Sequence, residues 1–313
     1  MNQNLANWLR LVFLACIWGS SFILMKRGMI YKPTGEAIFD NNQVATLRML
    51  IAALVIAPFA FRHIKKLLIR KNILPLIIVG CLGNFFPAYL FTYAETSISS
   101  GLAGMLNSCT PIFTVIIGLV IFKQTLIKLQ VIGIIIGTIG IFTLVGSGNI
   151  FSSATSLPAI LAVILATLCY ATSLNTIKYV LGHLTPLTIT SLGFLTTLPI
   201  SIYLFFQFDT TSTILENNHV TYGLIHIIIL GVIGTAISVI IFNRLISDTS
   251  AIFASSVTYF IPVVAAIIGF LDGENLSLFQ FVGMLIVLFG VYIINILGRK
   301  KRLMVLSKKN DKR

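Results

Sequence analysis

Arg48, in Leu47-Arg48-Met49-Leu50, is the one ionisable side chain that lies clearly inside a long apolar run. A guanidinium is a planar fork of donors that stays charged. In an apolar setting it has to grip an anion, either a carboxylate of a bound molecule or the acid Glu95 at the end of another run. The alternative is an Arg near its helix end that reaches out to headgroups. Glu95 is also the candidate for coupling to a proton, since few acids lie near apolar segments; as an acid at the edge of a membrane it would need no special account.

Four aromatics, Trp18, Tyr93, Tyr170 and Tyr259, sit within apolar runs instead of in loops. Trp and Tyr usually anchor at interfaces, but each carries a polar group that needs a partner away from water. They are candidates for lining a binding cavity, with simple packing as the alternative. Pro111 and Pro262 also fall within runs and should kink their helices, freeing the carbonyls of Asn107 and Thr258 four residues earlier. Polar residues cluster before each proline: Asn107, Ser108 and Thr110 in one place, Ser255, Ser256 and Thr258 in the other. The freed carbonyls should turn toward protein, water or a bound molecule, and Asn107 and Thr258 are expected at the site. The neighbouring hydroxyls could instead satisfy the kinked backbone themselves.

Other chemistries find no residues to carry them. There is no Gly-x-x-x-x-Gly-Lys-Ser/Thr loop to cradle a nucleotide, so no ATP drive is expected and no cofactor is called for. His63, His183, His219 and His226 are scattered, without an i, i+4 pair for a metal. Cys16, Cys81, Cys109 and Cys169 lie singly in apolar runs and read as packing residues. No nucleic acid is expected despite the net charge of +13, because Lys and Arg collect in cytoplasmic loops of membrane proteins.

The elements that must position these residues are transmembrane helices. Of 313 residues, 57% are hydrophobic and only 10% charged, with a mean hydropathy of +0.99, too apolar for a surface that faces water. Charge-free runs mark spans at 11–25, 72–94, 96–122, 179–208, 217–243, 249–271 and 275–298. A run over 129–177 is split by the polar stretch 146–156, and the span near 44–61 reaches membrane length only with Arg48 included. Thr185-Pro186 reads as a helix entry. The first run is followed by Lys26-Arg27, so it reads as a span and not a cleaved leader. Sorting the charges to alternate sides puts both termini and the basic tail 298–313 in the cytoplasm. Seven of the nine acids then fall outside, which the reverse orientation could not reconcile with the positive-inside rule.

The chain also matches itself. Gly80, Gly83 and Pro111 meet Gly231, Gly234 and Pro262 at an offset of 151, and Gln124, Gln130, Gly133 and Gly140 meet Glu274, Gln280, Gly283 and Gly290 at 150. Trp18, Ser21 and Lys26 meet Tyr170, Ser173 and Lys178 at 152. Five spans per copy is an odd number, so the second copy enters the membrane inverted. Gly133, Gly137 and Gly140 on one helix, with Gly283 and Gly290 on another, are expected to let backbones pack closely, with a gating hinge as the alternative.

Trp18-Gly19-Ser20-Ser21-Phe22 resembles the opening motif of the EamA family of the drug/metabolite transporter superfamily. So do Gly101-Leu102-Ala103 through Pro111 with Gln130 and Gly133, and the second copy from Ala251 through Pro262 to Glu274, Gln280 and Gly283. Arg48 resembles the Arg near the start of that family's second span, whereas Gln124 stands where the family usually has Glu. The resemblance, over about 8–297, implies an all-α integral membrane protein of ten transmembrane helices, built as two inverted five-helix repeats (8–147 and 156–297) around a central cavity. It implies a non-enzymatic secondary transporter of a small organic metabolite, an amino acid or related compound among the range, with export favoured. The localisation implied is a bacterial inner membrane. The expected partners are that small-molecule solute and membrane lipids, with a homodimer open. A membrane enzyme acting on lipid and a non-transporting scaffold stay open as alternatives.

Overall fold

The computed structural model describes residues 3–124, 128–146, 156–249, 254, 257–274 and 277–293. The basic tail and the side chain of Tyr259 lie outside the described residues. Helix α1 spans Gln3–Met29, and a two-stranded antiparallel hairpin, Ile30–Tyr31 with Glu36–Ala37, turns at Gly35, whose φ of 79° suits a residue without Cβ. Helix α2 spans Asn41–Leu67; α3 spans Arg70–Gly80 and leads through a π-helical segment, Cys81–Phe85, into α4, Phe86–Ala94. Then come α5 (Ser100–Asn107), α6 (Thr110–Val120), α7 (Lys128–Gly146), α8 (Ser156–Tyr179), α9 (Pro186–Gln207) and the short α10 (Thr210–Glu216). Helix α11, Val220–Gly231, passes through a second π-helical segment, Val232–Ile237, into α12, Ser238–Asp248, and α13 (Val257–Leu271) and α14 (Leu278–Tyr292) follow. Among the described residues, seven helices are long and apolar enough to cross a membrane, and three shorter apolar ones accompany them.

The helices begin where side chains can satisfy free backbone donors. Asp40 accepts the Gln43 N–H at 2.7 Å while Gln43 Oε1 accepts the Asp40 N–H at 3.0 Å, a reciprocal cap at the start of α2. Gln43 also donates to Phe208 O at 2.9 Å and Thr213 Oγ1 at 2.8 Å, tying α2 to the end of α9 and to α10. Thr185 caps α9 with Pro186 at its first position, as the sequence leads one to expect.

Polarity is turned inside out. Leu54, Phe142, Phe206 and Leu271 are exposed on the periphery, while Thr92, Thr167, Thr188, Ser191 and Ser201 are fully buried. The buried hydroxyls mostly turn back on their own helix: Thr92 donates to Ala88 O at 2.9 Å and Ser201 to Thr197 O at 2.9 Å. A hydrocarbon solvent requires this, since it offers polar groups no partner.

Three expected spans differ in detail. The run 96–122 is two helices, broken at Ser108 and Cys109, so Pro111 opens α6 instead of kinking a continuous rod. Pro262 does lie inside α13. The runs 72–94 and 217–243 each widen into a π-helical turn beside a glycine pair, Gly80 and Gly83 in one, Gly231 and Gly234 in the other. A Cβ on Gly83 would lie 2.4 Å from Ser173 Oγ, and one on Gly234 would lie 3.1 Å from Ser21 Oγ. Helices α8 and α1 thus lean on glycines of the two widened turns in the same manner.

Helix pairings follow suit. Helix α1 packs on α11, α12 and α13, and α8 packs on α3, α4, α5 and α6; α2 lies along α9, α5 along α13, and α7 along α14. The last pair touches through backbone. A Cβ on Gly290 would come within 2.5 Å of Gly137 N and 2.7 Å of Gly133 O, and one on Gly140 within 2.6 Å of Val287 N. The glycines serve close packing, as expected. Gly290→Leu should therefore force α14 off α7, at a cost of about 1–3 kcal/mol. In a thermal unfolding series in detergent, its midpoint should fall well below that of Ile139→Leu, a change at an exposed position of α7.

Candidate functional site

Helices α1 to α6, α8, α12 and α13, with both π-helical segments, line a cavity of about 110 Å³. Trp18, Arg48, Asn107, Tyr170 and Thr258, expected from sequence, all line it. Tyr93 does not: it is 43% exposed on the bundle's periphery. Helix α4 is apolar nearly all round, so nothing in its sequence marked which face turns inward.

Arg48 is the chemical centre of the cavity. It is 9% exposed, donates from Nε to Thr235 Oγ1 at 2.8 Å and from Nη1 to Met25 Sδ at 3.6 Å, and forms no ion pair among the described residues. Glu95 acts on it only through space. The expected pairing with Glu95 and the reach to headgroups are both replaced by a guanidinium that borders the cavity and donates to Thr235 and Met25. Thr235 belongs to the second π-helical segment, where its hydroxyl also donates to Leu230 O at 2.9 Å. The widened turn offers that hydroxyl inward as an acceptor for Arg48.

Around the guanidinium the lining is apolar and amide. Trp18 donates from Nε1 to Gly234 O at 3.1 Å and meets Phe242 edge-on at 4.8 Å. Tyr170 stacks on Phe91 with centroids 6.0 Å apart. Asn107, 6% exposed, borders the cavity, but its backbone carbonyl does not turn to it: Thr110 Oγ1 donates to that oxygen at 2.8 Å. The neighbouring hydroxyl satisfies the broken backbone, which corrects the expectation of a carbonyl free for a bound molecule. Thr258 is 6% exposed in the same lining.

Sequence reasoning missed Asn84, Ser173, Thr235 and Asn243, all in the lining. Asn84 and Thr235 stand at matching positions one residue beyond Gly83 and Gly234, and Ser173 matches Ser21. Reading the self-match for shared polar positions, and not only for glycines, would have found three of the four.

At the hairpin end of the bundle the charges meet. Glu274 Oε1 accepts Lys26 Nζ at 2.7 Å and the Ser100 N–H at 3.0 Å, and Oε2 accepts the Gly101 N–H at 3.0 Å, the first donors of α5. Burial pushes the Glu274 carboxyl up, but Lys26 and these backbone donors outweigh it and hold it below the ordinary carboxylate range. Asp272 pairs with Arg27 and, at 2.6 Å, with Lys32; burial raises it, and the two cations bring it below its usual value. Glu95 stands at the end of its span, directly after α4, and is 5% exposed. Among the described residues, its Oε2 has only the Ser100 hydroxyl at 3.4 Å, and its buried Oε1 has no hydrogen-bond partner.

Gln124 stands on a similar turn, one residue longer than that of Glu274, without the charge. Lys123 and Gly273 both adopt positive φ, 51° and 93°, and the next residue's N–H returns to Gly118 O at 3.0 Å and Gly269 O at 2.8 Å respectively. Gln124 donates to Asn175 Oδ1 at 3.3 Å. At the opposite end from the hairpin, Arg10 pairs with Asp248 at 2.8 Å.

Known proteins agree with this architecture. A solved crystal structure shares the fold with a TM-score of 0.62 at 13% identity, over 94% of this chain and 98% of that one. The sequence is 24% identical over 302 residues to the uncharacterized transporter YyaM of Bacillus subtilis, covering 92% of this chain and 93% of the relative. It is 25% identical over 287 residues to the uncharacterized inner membrane transporter YedA of Escherichia coli K12, covering 90% and 87%. The EamA-like transporter family matches residues 6–146 and again 157–296. The chain is a multi-pass membrane protein and belongs to the EamA-like transporter family.

Proposed function

We propose that this protein is a secondary carrier of small organic metabolites bearing a carboxylate, amino acids and their derivatives among them, working by alternating access in the bacterial inner membrane. The observation that carries the reading is Arg48. It is the one charged residue of a cavity lined from both halves of the chain, and no acid among the described residues neutralises it there. A carboxylate can take the guanidinium's open donors from two sides. Trp18, Phe22, Phe91 and Tyr170 would hold an apolar body, and Asn84 and Asn107 would read its polar groups.

Alternating access is supported by the way the helices pair. Let α1, α2, α3–α4, α5–α6 and α7 stand for the first half, and α8, α9, α11–α12, α13 and α14 for the second. Exchanging the halves then returns the same contacts: α1 on α11–α12 becomes α8 on α3–α4, and the pairs α2–α9, α5–α13 and α7–α14 map onto themselves. That pairing supports the reading of ten helices as two inverted repeats, 8–147 and 156–297. Such a design lets one set of contacts open to either side. With no nucleotide-binding loop in the sequence, net flux follows the gradients.

Arg48→Gln and Arg48→Lys should each weaken solute transport roughly 10- to 100-fold at equal protein level, the loss of a charge-assisted bond worth about 1.5–3 kcal/mol. The measurement is uptake of a labelled organic-acid and amino-acid panel into vesicles carrying each variant; full transport by Arg48→Gln would move the site elsewhere. Asn107→Ala and Thr258→Val should shift the order in which unlabelled solutes compete, with abundance unchanged. Orientation is checked with a cysteine at Asn218 in a variant lacking the native cysteines. It should react with an impermeant maleimide in intact cells, and reaction only after the membrane is opened would reverse the topology.

A further inference from the structure

We propose that Glu95 is a proton-binding site, holding a proton while the hairpin end of the bundle is closed and releasing it to water when that end opens. The proposal rests on the alternating-access reading for the opening step, but the bound proton is a property of the closed structure by itself.

Three observations converge on this carboxyl. Glu95 is 5% exposed, and its Oε1 is buried without a hydrogen-bond partner. The donors that could hold it as an anion are already taken. Ser100 N–H, Gly101 N–H and Lys26 Nζ all go to Glu274, and Ser100 bridges the two acids, with its N–H on Glu274 and its hydroxyl 3.4 Å from Glu95. Finally, Glu274 is itself an anion beside Glu95, and two carboxylates sharing one set of donors do not both stay ionised.

The groups that act on Glu95 are Glu274 from the turn after α13, Lys26 from α1 and Arg48 from α2, with Tyr170 of α8 acting on Arg48 in turn. Arg48 does not stand in as counter-ion, because its bonds go to Thr235 and Met25. A carboxyl so placed keeps its proton.

Opening this end requires Glu274 to leave α5, since the two lie on different halves of the chain. Its departure removes the competing anion, admits water, and frees Lys26 and the first two N–H groups of α5, all within reach of the Ser100 that already touches Glu95. The carboxylic O–H bond then breaks, the proton goes to water, and the carboxylate takes the vacated donors. No other bond changes. The sign follows: Glu95 binds its proton more tightly in the closed form than in the open one, so acid on that side favours closure and a rise in pH favours opening. Charge sorting puts that side outside the cell.

Two measurements on the full-length protein in lipid nanodiscs test this. Infrared difference spectra should show the carbonyl stretch of a protonated carboxylic acid at neutral pH. The band should disappear in Glu95→Gln and persist, shifted, in Glu95→Asp, the variant that guards against simple misfolding. The second measurement follows maleimide labelling of Ala103→Cys, a fully buried position one turn into α5, in a variant without Cys16, Cys81, Cys109 and Cys169. Its rate, relative to Thr34→Cys on the exposed hairpin turn, should rise with pH by up to about tenfold per unit, the limit for one proton. The same ratio should stay flat in Glu95→Gln. Absence of the band, or a pH-dependent ratio that survives in Glu95→Gln, overturns the proposal. A band that is present with labelling flat in every variant overturns the release step and counts against alternating access, leaving the proton on Glu95.

Discussion

Placing the Arg48 guanidinium inside a bundle whose outer surface faces lipid is the constraint to which much of the interior answers. An ion of this kind is tolerated only where fixed dipoles replace water. The second π-helical segment supplies one, because the extra residue in its turn sets Thr235 where the hydroxyl can accept from Nε. The widened turn in turn needs Gly234, since α1 crosses it at Ser21, and the Gly234 carbonyl takes its hydrogen bond from Trp18. Charge, irregular helix, glycine and aromatic are thus consequences of one another.

Much of this was legible in the sequence, and the reasons for what was not are specific. Apolar runs gave the helices because lipid demands them, Thr185-Pro186 gave a helix entry, and the spacing of Gly133, Gly137 and Gly140 gave a packing face. The π-helical turns left no local trace. A one-residue widening changes which carbonyl accepts which N–H, and residue type says nothing of that until the neighbour packed against the glycine is known. The inward or outward setting of Tyr93 was illegible for a related reason: a helix greasy on every side carries no stripe to orient it. Glu95 misled differently. Position along a span suggested an interface, but the fold covers that end with the turn carrying Glu274, a contact between residues far apart in the chain.

The two halves resemble each other most where they pack and least where they carry charge. Arg48 has no basic counterpart in α9: Gly193 takes its place there, its carbonyl against Gly80 as the Arg48 carbonyl lies against Gly231. Glu274 has its counterpart in the neutral Gln124, on a turn one residue longer whose N–H likewise returns to a glycine carbonyl of the preceding helix. The two halves therefore place a single cation in the cavity and different charged contacts at the two ends, Lys26 with Glu274 at one and Arg10 with Asp248 at the other. Identical halves would bind a solute in two mirrored ways and close both ends equally well; the unmatched residues remove that degeneracy.

The backbone contact between α7 and α14 has a mechanical meaning. Helices held apart by long side chains can slide, because rotamers absorb the shift. Here Gly290 lies against the peptide groups of Gly133 and Gly137, leaving no side chain to act as a bearing. A displacement along the axis would drive the next bulky residue into the opposing backbone. The pair therefore resists shear along its axis, which would make it, under the proposed alternating access, a unit that moves as one body.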